Sequence, residues 1–176
     1  MSDQFHYTTP HDPLSQPLIE QLTHEYQSRY GDYFGESAGT EMSRYPAELF
    51  AQPDGAFLLL LRDGQAIAGG AFKRYDEATA EFKRVWTHSD FRRQGLAKRV
   101  LVQLEAQAAR QGYSRIYLTT GFRQPEASGL YLSTGYTALF DVNVDPEVYG
   151  SLPFEKDISA LALQIQPQHE RVAASR

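Results

Sequence analysis

Cysteine is absent from the sequence, which removes disulfides, thiolate metal ligands and a cysteine nucleophile from consideration. Long hydrophobic runs are absent too: the longest, residues 56–61, is far shorter than the roughly 20 residues that cross a bilayer. The opening stretch MSDQFHYTTPHDPLSQP holds no apolar leader core, so a cytoplasmic protein with no membrane association is expected. Positive charge is not in excess. The formal net charge is -5, and such a surface does not attract nucleic acid as a whole. The five histidines (His6, His11, His24, His88, His169) form no HExxH pair, so no metal site is expected. GxxxxGK[ST], GxGxxG and, around Ser128, GxSxG are also missing, which argues against ATP, NAD and a serine elbow.

What remains is a globular mix, 41% hydrophobic and 22% charged, in 176 residues, enough for one domain with a core. Residues 1–17 carry Pro10, Pro13 and Pro17 and no periodic pattern, and are read as an extended N-terminal arm; 18–166 form the domain and 167–176 a polar tail. Helical spacing runs from Leu18 to Tyr30, ended by Gly31. A glycine-rich aromatic loop and a short helix at Pro46–Phe50 follow. Phe57–Leu61 and Ala66–Phe72 flank an Asp63-Gly64 turn and predict a hairpin. A strand is expected over Glu81–Thr87, a helix over Ala97–Gln111 with Gly112 at its end, and a strand over Arg115–Thr120. A helix over Pro125–Ser133, a strand over Tyr136–Val142 and a last strand near Phe154–Ile158, extendable to Leu163, complete the chain. The order predicts an α/β (α+β) domain whose mixed, mostly antiparallel sheet of about six to seven strands is flanked by helices on both faces, with a strand-helix-strand crossover in the middle.

One segment departs from the acidic average. Between Lys83 and Arg99 lie Lys83, Arg84, Arg92, Arg93, Lys98 and Arg99 against the single acid Asp90. A helix N-terminus already carries about half a positive charge and unpaired N–H groups. Stacking Arg92, Arg93, Lys98 and Arg99 there points to a bound polyanion such as a pyrophosphate. Gly95 and Ala97 are small enough to let the backbone approach it. A merely solvated basic helix end is the alternative.

The turn Arg92-Arg93-Gln94-Gly95-Leu96-Ala97 resembles the [Q/R]-x-x-G-x-[G/A] signature of the Gcn5-related N-acetyltransferase (GNAT) superfamily, and the flanks from Lys83 onward resemble that family's strand, loop and helix entry. A second block, Gln124-Pro-Glu-Ala-Ser-Gly-Leu-Tyr-Leu-Ser-Thr-Gly-Tyr136, is similar to its N-x-x-A-x-x-L-Y-x-x-x-G-[F/Y] segment through Ala127, Leu130, Tyr131, Gly135 and Tyr136. The two blocks with their linking strand cover roughly residues 57–140. The resemblance implies the fold, acetyl-CoA as cofactor, and acyl transfer to an amine.

It also implies roles. Val85, Trp86 and Thr87 would pair through their backbone with the pantetheine arm, and the Val85 N–H would donate to the thioester oxygen as negative charge builds there. Amides from Arg93 through Lys98 (Gln94, Gly95, Leu96 and Ala97 between them) would hold the pyrophosphate, with Arg92 positioned by the motif. Arg93 or Lys98 would add side-chain charge. Gln124 stands where the family often has asparagine and would touch the cofactor. Tyr131 would protonate the departing thiolate, whose pKa of about 8.5 lies below tyrosine's roughly 10. Glu81, four residues before Val85 and on its face under strand alternation, is the candidate base, directly or through water; pairing with Arg84 or Lys83 is its alternative role. Asp76, Glu77 and Asp141 are reserves. With no cysteine, direct transfer in a ternary complex is favoured over an acyl-enzyme. His88, before the turn, reads as structural.

The resemblance also implies that acceptor choice falls to approximately residues 26–45 and 140–152, which hold Tyr26, Tyr30, Tyr33, Phe34, Tyr45 and Tyr149 beside Glu36, Glu41, Asp141 and Asp145. That aromatic, acidic set suits a small cationic amine. A protein or peptide N-acetyltransferase and a non-catalytic acyl-CoA-binding module are the rivals, and a homodimer stays open.

Overall fold

The computed structural model describes residues 2–31, 33–35 and 44–164. Its strands are β1 (Asp3–Tyr7), β2 (Ala56–Arg62), β3 (Gln65–Arg74), β4 (Thr79–Thr87), β5 (Arg115–Gly121), β6 (Thr137–Ala138) and β7 (Ser151–Asp157). The helices are α1 (Gln16–Tyr30), α2 (Leu96–Arg110), α3 (Pro125–Ser133) and α4 (Ser159–Gln164). The seven strands form one sheet in the order β1-β2-β3-β4-β5-β7-β6. The β4/β5 pair is parallel, and β1/β2, β2/β3, β5/β7 and β6/β7 are antiparallel. The α/β fold expected from the element order is therefore the observed one.

Two compact units make up the chain. The first comprises Met1–Lys73 and Arg84–Leu104. Its β2–β3 hairpin turns through Asp63 (φ 52°) and Gly64 (φ 82°), both left-handed, as the tight turn compatible with strand twist requires. Helices cover both faces of this unit's sheet. A Cβ on Gly69 would stand 3.0 Å from Leu18 of α1, and one on the next residue, Gly70, 2.9 Å from Leu104 of α2; consecutive strand residues face opposite ways. On the α1 side, Leu18, Phe50, Phe57, Leu59, Ala66, Ala71 and Trp86 form a buried cluster.

The second unit comprises Arg74–Lys83 and Glu105–Arg176. Thr79–Glu81 of β4 run parallel to Arg115–Tyr117 of β5, and β5 pairs along its whole length with β7. Its core includes Tyr113, Ile116, Leu118, Tyr131, Tyr136 and Phe154.

Three element expectations are corrected. Asp3–Tyr7 is no free arm but strand β1, in register with Arg62–Leu58 of β2; its partner supplies the pairing that a short polar stretch does not advertise. The strand expected over Tyr136–Val142 shrinks to Thr137–Ala138. Beyond it, the Leu139 N–H donates to the Pro153 carbonyl, but proline has no N–H to return. Asp141 then starts an Asx turn by accepting from the Asn143 N–H at 2.9 Å. Finally, the last strand does not extend to Leu163: Asp157 accepts from the Ser159 N–H at 2.7 Å and the chain enters α4.

Candidate active site

The turn into α2 is built by two left-handed residues, Arg93 (φ 66°) and Gly95 (φ 73°), on either side of Gln94. Leu96 is buried and anchors the first turn of the helix, whereas Arg92, Arg93, Gln94, Gly95 and Lys98 face solvent. A Cβ placed on Gly95 would meet nothing within 4 Å, so this side of the turn is open. The first N–H groups of a 15-residue helix have no intrahelical partner and carry the positive end of its dipole. An anionic group of pyrophosphate size therefore fits the backbone and charge present here.

The basic cluster divides into paired and unpaired cations. The Arg99 guanidinium donates to Asp3 Oδ2 at 2.7 Å, and Arg92 lies 4.0 Å from a Glu25 carboxylate oxygen. Among the described residues, Arg93 and Lys98 have no ion-pair partner. The cations left for a ligand are thus these two, a narrower set than the sequence suggests.

Neighbours fix the turn's approach. The Trp86 indole N–H donates to Gln21 Oε1 at 3.0 Å, and the same oxygen accepts from the Ser89 N–H at 3.1 Å, so α1 pins the end of β4 to the loop that follows. His88 Nδ1 accepts from the Asp90 N–H at 3.1 Å, a structural use of this side chain. Arg62 was not picked out by the sequence reading. Its guanidinium donates to Asp3 at 2.7 and 2.9 Å and to Gln94 Oε1 at 2.9 Å. Those partners lie 59 and 32 positions away, and no local pattern signals such a contact.

On β4, Arg84 adopts φ 60°. A left-handed residue inside a strand perturbs the regular pleat at that point, and Arg84 stands between Glu81 and Val85 in the sequence. The Glu81 carboxylate is buried and lies 3.5 Å from Lys83 Nζ, the pairing named above as its alternative role. Val85 and Thr87 are partly buried, and Trp86 fully so.

In the second unit Tyr131 is 7% exposed, its ring edge-on to Tyr136 at 5.5 Å and tilted against Phe154 at 5.6 Å. Burial pushes its hydroxyl well above the ordinary tyrosine range, so the proton-bearing form is the resident one. Gln124, at the α3 N-cap, accepts from the Gly121 N–H at 3.2 Å and the Thr120 hydroxyl at 3.4 Å through Oε1. That oxygen is tied to the end of β5. Of the reserves, Asp76 accepts from the Ala78 N–H and Asp141 from the Asn143 N–H, both in turns.

Tyr26, Tyr30 and Phe34 stack within 6.4 Å of one another, and Tyr33 meets Phe34 edge-on at 5.0 Å. Tyr30 is buried, while Tyr33 and Phe34 are exposed. Tyr45 receives Lys73 Nζ over its ring at 5.2 Å, and Tyr149, in the second unit, stacks on Phe140. Glu36 and Glu41 lie outside the described residues. Among the described residues there is no His/Cys/Asp/Glu group suited to a metal, and no helix is long and apolar enough to cross a membrane.

The model of the acetyltransferase (GNAT) family matches residues 19–136, a span holding both the turn and Tyr131. The chain belongs to this family. It is accordingly an acyltransferase, and the reading as a non-catalytic module is set aside. Among solved structures, a protein from Klebsiella pneumoniae assigned as an acyl-CoA N-acyltransferase is 25% identical, with TM-score 0.67 over 89% of this chain and 97% of that one. The PaiA N-acetyltransferase from Thermoplasma acidophilum, solved with coenzyme A, is 18% identical with TM-score 0.67 (89% and 99% covered). The ribosomal-protein-S18-alanine N-acetyltransferase from Escherichia coli is 16% identical with TM-score 0.62 (90% and 95% covered). These last two establish likeness of fold. No curated protein matches the sequence.

Proposed function

We propose that this GNAT enzyme transfers the acetyl group of acetyl-CoA to the primary amine of a small cationic molecule, by direct attack in a ternary complex. The observation that carries the cofactor half is the open, left-handed turn at Gly95 with Arg93 and Lys98 uncompensated beside it. The coenzyme A bound by the Thermoplasma relative supports the same cofactor. When bound, acetyl-CoA supplies an activated thioester. The protein's part is to hold the pyrophosphate with amides from Arg93 to Lys98, and the pantetheine arm along Val85, Trp86 and Thr87.

Tyr131 keeps its proton because it is buried, and offers that proton to the leaving sulfur. A hydroxyl so weakly acidic acts as a hydrogen-bond donor to the charge developing on the sulfur. Glu81 is the proposed base. With Lys83 beside it, it acts through a water that takes the proton from the attacking ammonium.

The acceptor half rests on the ring cluster of Tyr26, Tyr30, Tyr33 and Phe34. Aromatic faces attract alkylammonium and favour a compact cation over a long polar peptide. The test is thiol release from acetyl-CoA across polyamines, amino acids, aminoglycosides and peptides, with light scattering alongside to read the homodimer. Turnover of a small cationic amine is expected. Turnover with peptides alone would move the assignment to a protein N-acetyltransferase, and no turnover with any amine would overturn it.

A further inference from the structure

The turn at Arg92–Gly95 contains a non-glycine residue, Arg93, at φ 66°. Such a conformation is unfavourable for a residue with a side chain and persists when the surroundings over-determine it. The surroundings here converge on one carboxylate. Asp3, on edge strand β1, sits opposite Arg62 in the β1–β2 register and takes its guanidinium fork at 2.7 and 2.9 Å. The remaining Arg62 nitrogen donates to Gln94 Oε1, between the two left-handed residues, at 2.9 Å. Asp3 Oδ2 also accepts from Arg99, in the first turn of α2, at 2.7 Å. Phe91 lies under Arg62 and Phe5 under Arg99, at 5.8 and 5.9 Å.

One carboxylate thus grips the anion-binding segment at both ends, Gln94 through Arg62 and Arg99 directly. We infer that Asp3 and Arg62 are positioning residues of the coenzyme site: the N-terminal strand holds the N–H array of the turn in the geometry that receives the pyrophosphate. This rests on the proposal that the turn binds coenzyme A. It adds a role for a strand that carries no part of either family motif.

The inference has a definite sign. Asp3 is an anion near a polyanion site, so on charge alone its removal tightens coenzyme binding. If it positions the turn, its removal weakens binding, because misplaced donors lose more than one screened charge returns.

The experiment is calorimetric titration of the full-length protein with coenzyme A and, separately, with pantetheine, which lacks the pyrophosphate. Asp3→Asn should weaken coenzyme A about tenfold and leave pantetheine binding within about twofold, a split that general loosening of the fold does not produce. Arg62→Lys keeps the charge but not the fork, and should weaken coenzyme A comparably. Should Asp3→Asn fold poorly, Gln94→Ala breaks only the last link of the chain and should weaken coenzyme A in the same direction. Unchanged or tighter coenzyme A binding in Asp3→Asn and Arg62→Lys, or equal weakening of both ligands, overturns the inference. Gly95→Glu is the control: if it binds coenzyme A like the wild type, the turn itself is misassigned; if it loses binding while the clasp variants do not, only the clasp is wrong.

Discussion

The Tyr136 hydroxyl donates to Glu105 Oε2 at 2.8 Å, across 31 positions and in the buried core of the second unit. The other carboxylate oxygen of Glu105 receives Lys156 Nζ at 3.0 Å, and the same ammonium donates to the Thr134 carbonyl at the end of α3 at 2.9 Å. The chain returns to Tyr131, whose carbonyl accepts from the Tyr136 N–H at 3.0 Å. Removing one member of a buried ion pair leaves its partner uncompensated. Lys156 is itself only partly buried, so Lys156→Met should destabilise by about 1–3 kcal/mol, and Tyr136→Phe, which removes one charge-assisted hydrogen bond, by about 1.5–3 kcal/mol. Urea unfolding of both variants checks both losses; a neutral Lys156→Met would mean the pair is dispensable.

Two glycines should respond oppositely to alanine. A Cβ on Gly55 would fall 2.1 Å from the Leu49 carbonyl oxygen and 2.8 Å from both Phe50 Cα and the Phe72 carbonyl oxygen, all backbone. Backbone on three sides cannot step aside, and Gly55→Ala should cost about 3 kcal/mol or more. Gly129, inside α3, has open space at its Cβ, so Gly129→Ala should stabilise by about 0.5–1 kcal/mol. Thermal melts of the pair decide it.

How far the sequence could be read depended on whether a signal was local. Helix α2 was legible because apolar spacing, a terminal glycine and a basic entrance all lie within its own stretch, and the hairpin because Asp63-Gly64 is a local turn code. The left-handed Arg84 left no such mark, since arginine is not a residue that announces positive φ. Strand β1 and the grip of Asp3 on Arg62 and Arg99 depend on partners 59 and 96 positions away. The early cut of β6 follows from Pro153 standing on the neighbouring strand, a cause no window around Tyr136–Val142 contains.

Gly95 offers room for a side chain but not the backbone to carry one, at φ 73° with nothing within 4 Å of its Cβ. Gly95→Ala should cost roughly 1 kcal/mol of stability. Gly95→Glu adds a carboxylate where the pyrophosphate is proposed to lie, and like charges at that distance should lower coenzyme A affinity at least a hundredfold. Titration calorimetry reads both, and wild-type affinity in Gly95→Glu would place the pyrophosphate elsewhere.

Hydrogen bonds from Arg62 and then Arg99 hold the Asp3 carboxyl far below its ordinary value of 3.8. A carboxyl depressed in the folded state contributes stability that is complete above its unfolded pKa and disappears as pH falls through the folded one. The stability gap between wild type and Asp3→Asn should thus be constant from pH 7 down to about 4 and close steadily below it. Denaturation midpoints at stepped pH test this; a gap that widens in acid would mean the two arginines do not set the carboxyl's charge.

Tyr131 offers the most direct test of the proposed chemistry. Its hydroxyl is raised above the ordinary tyrosine value of 10.0 by burial, so the proton is retained across the alkaline limb and activity should show no loss from tyrosine ionisation up to pH 10. Tyr131→Phe keeps the ring packed on Tyr136 and Phe154 and removes only the donor. A positioned acid contributes roughly 100-fold or more, so kcat should fall by that order while coenzyme A affinity stays within about twofold. Steady-state kinetics with the best acceptor, beside titration of coenzyme A, separate the outcomes. A drop in affinity with kcat unchanged would make Tyr131 a wall of the cofactor site, and a drop in neither would leave its hydroxyl outside the reaction.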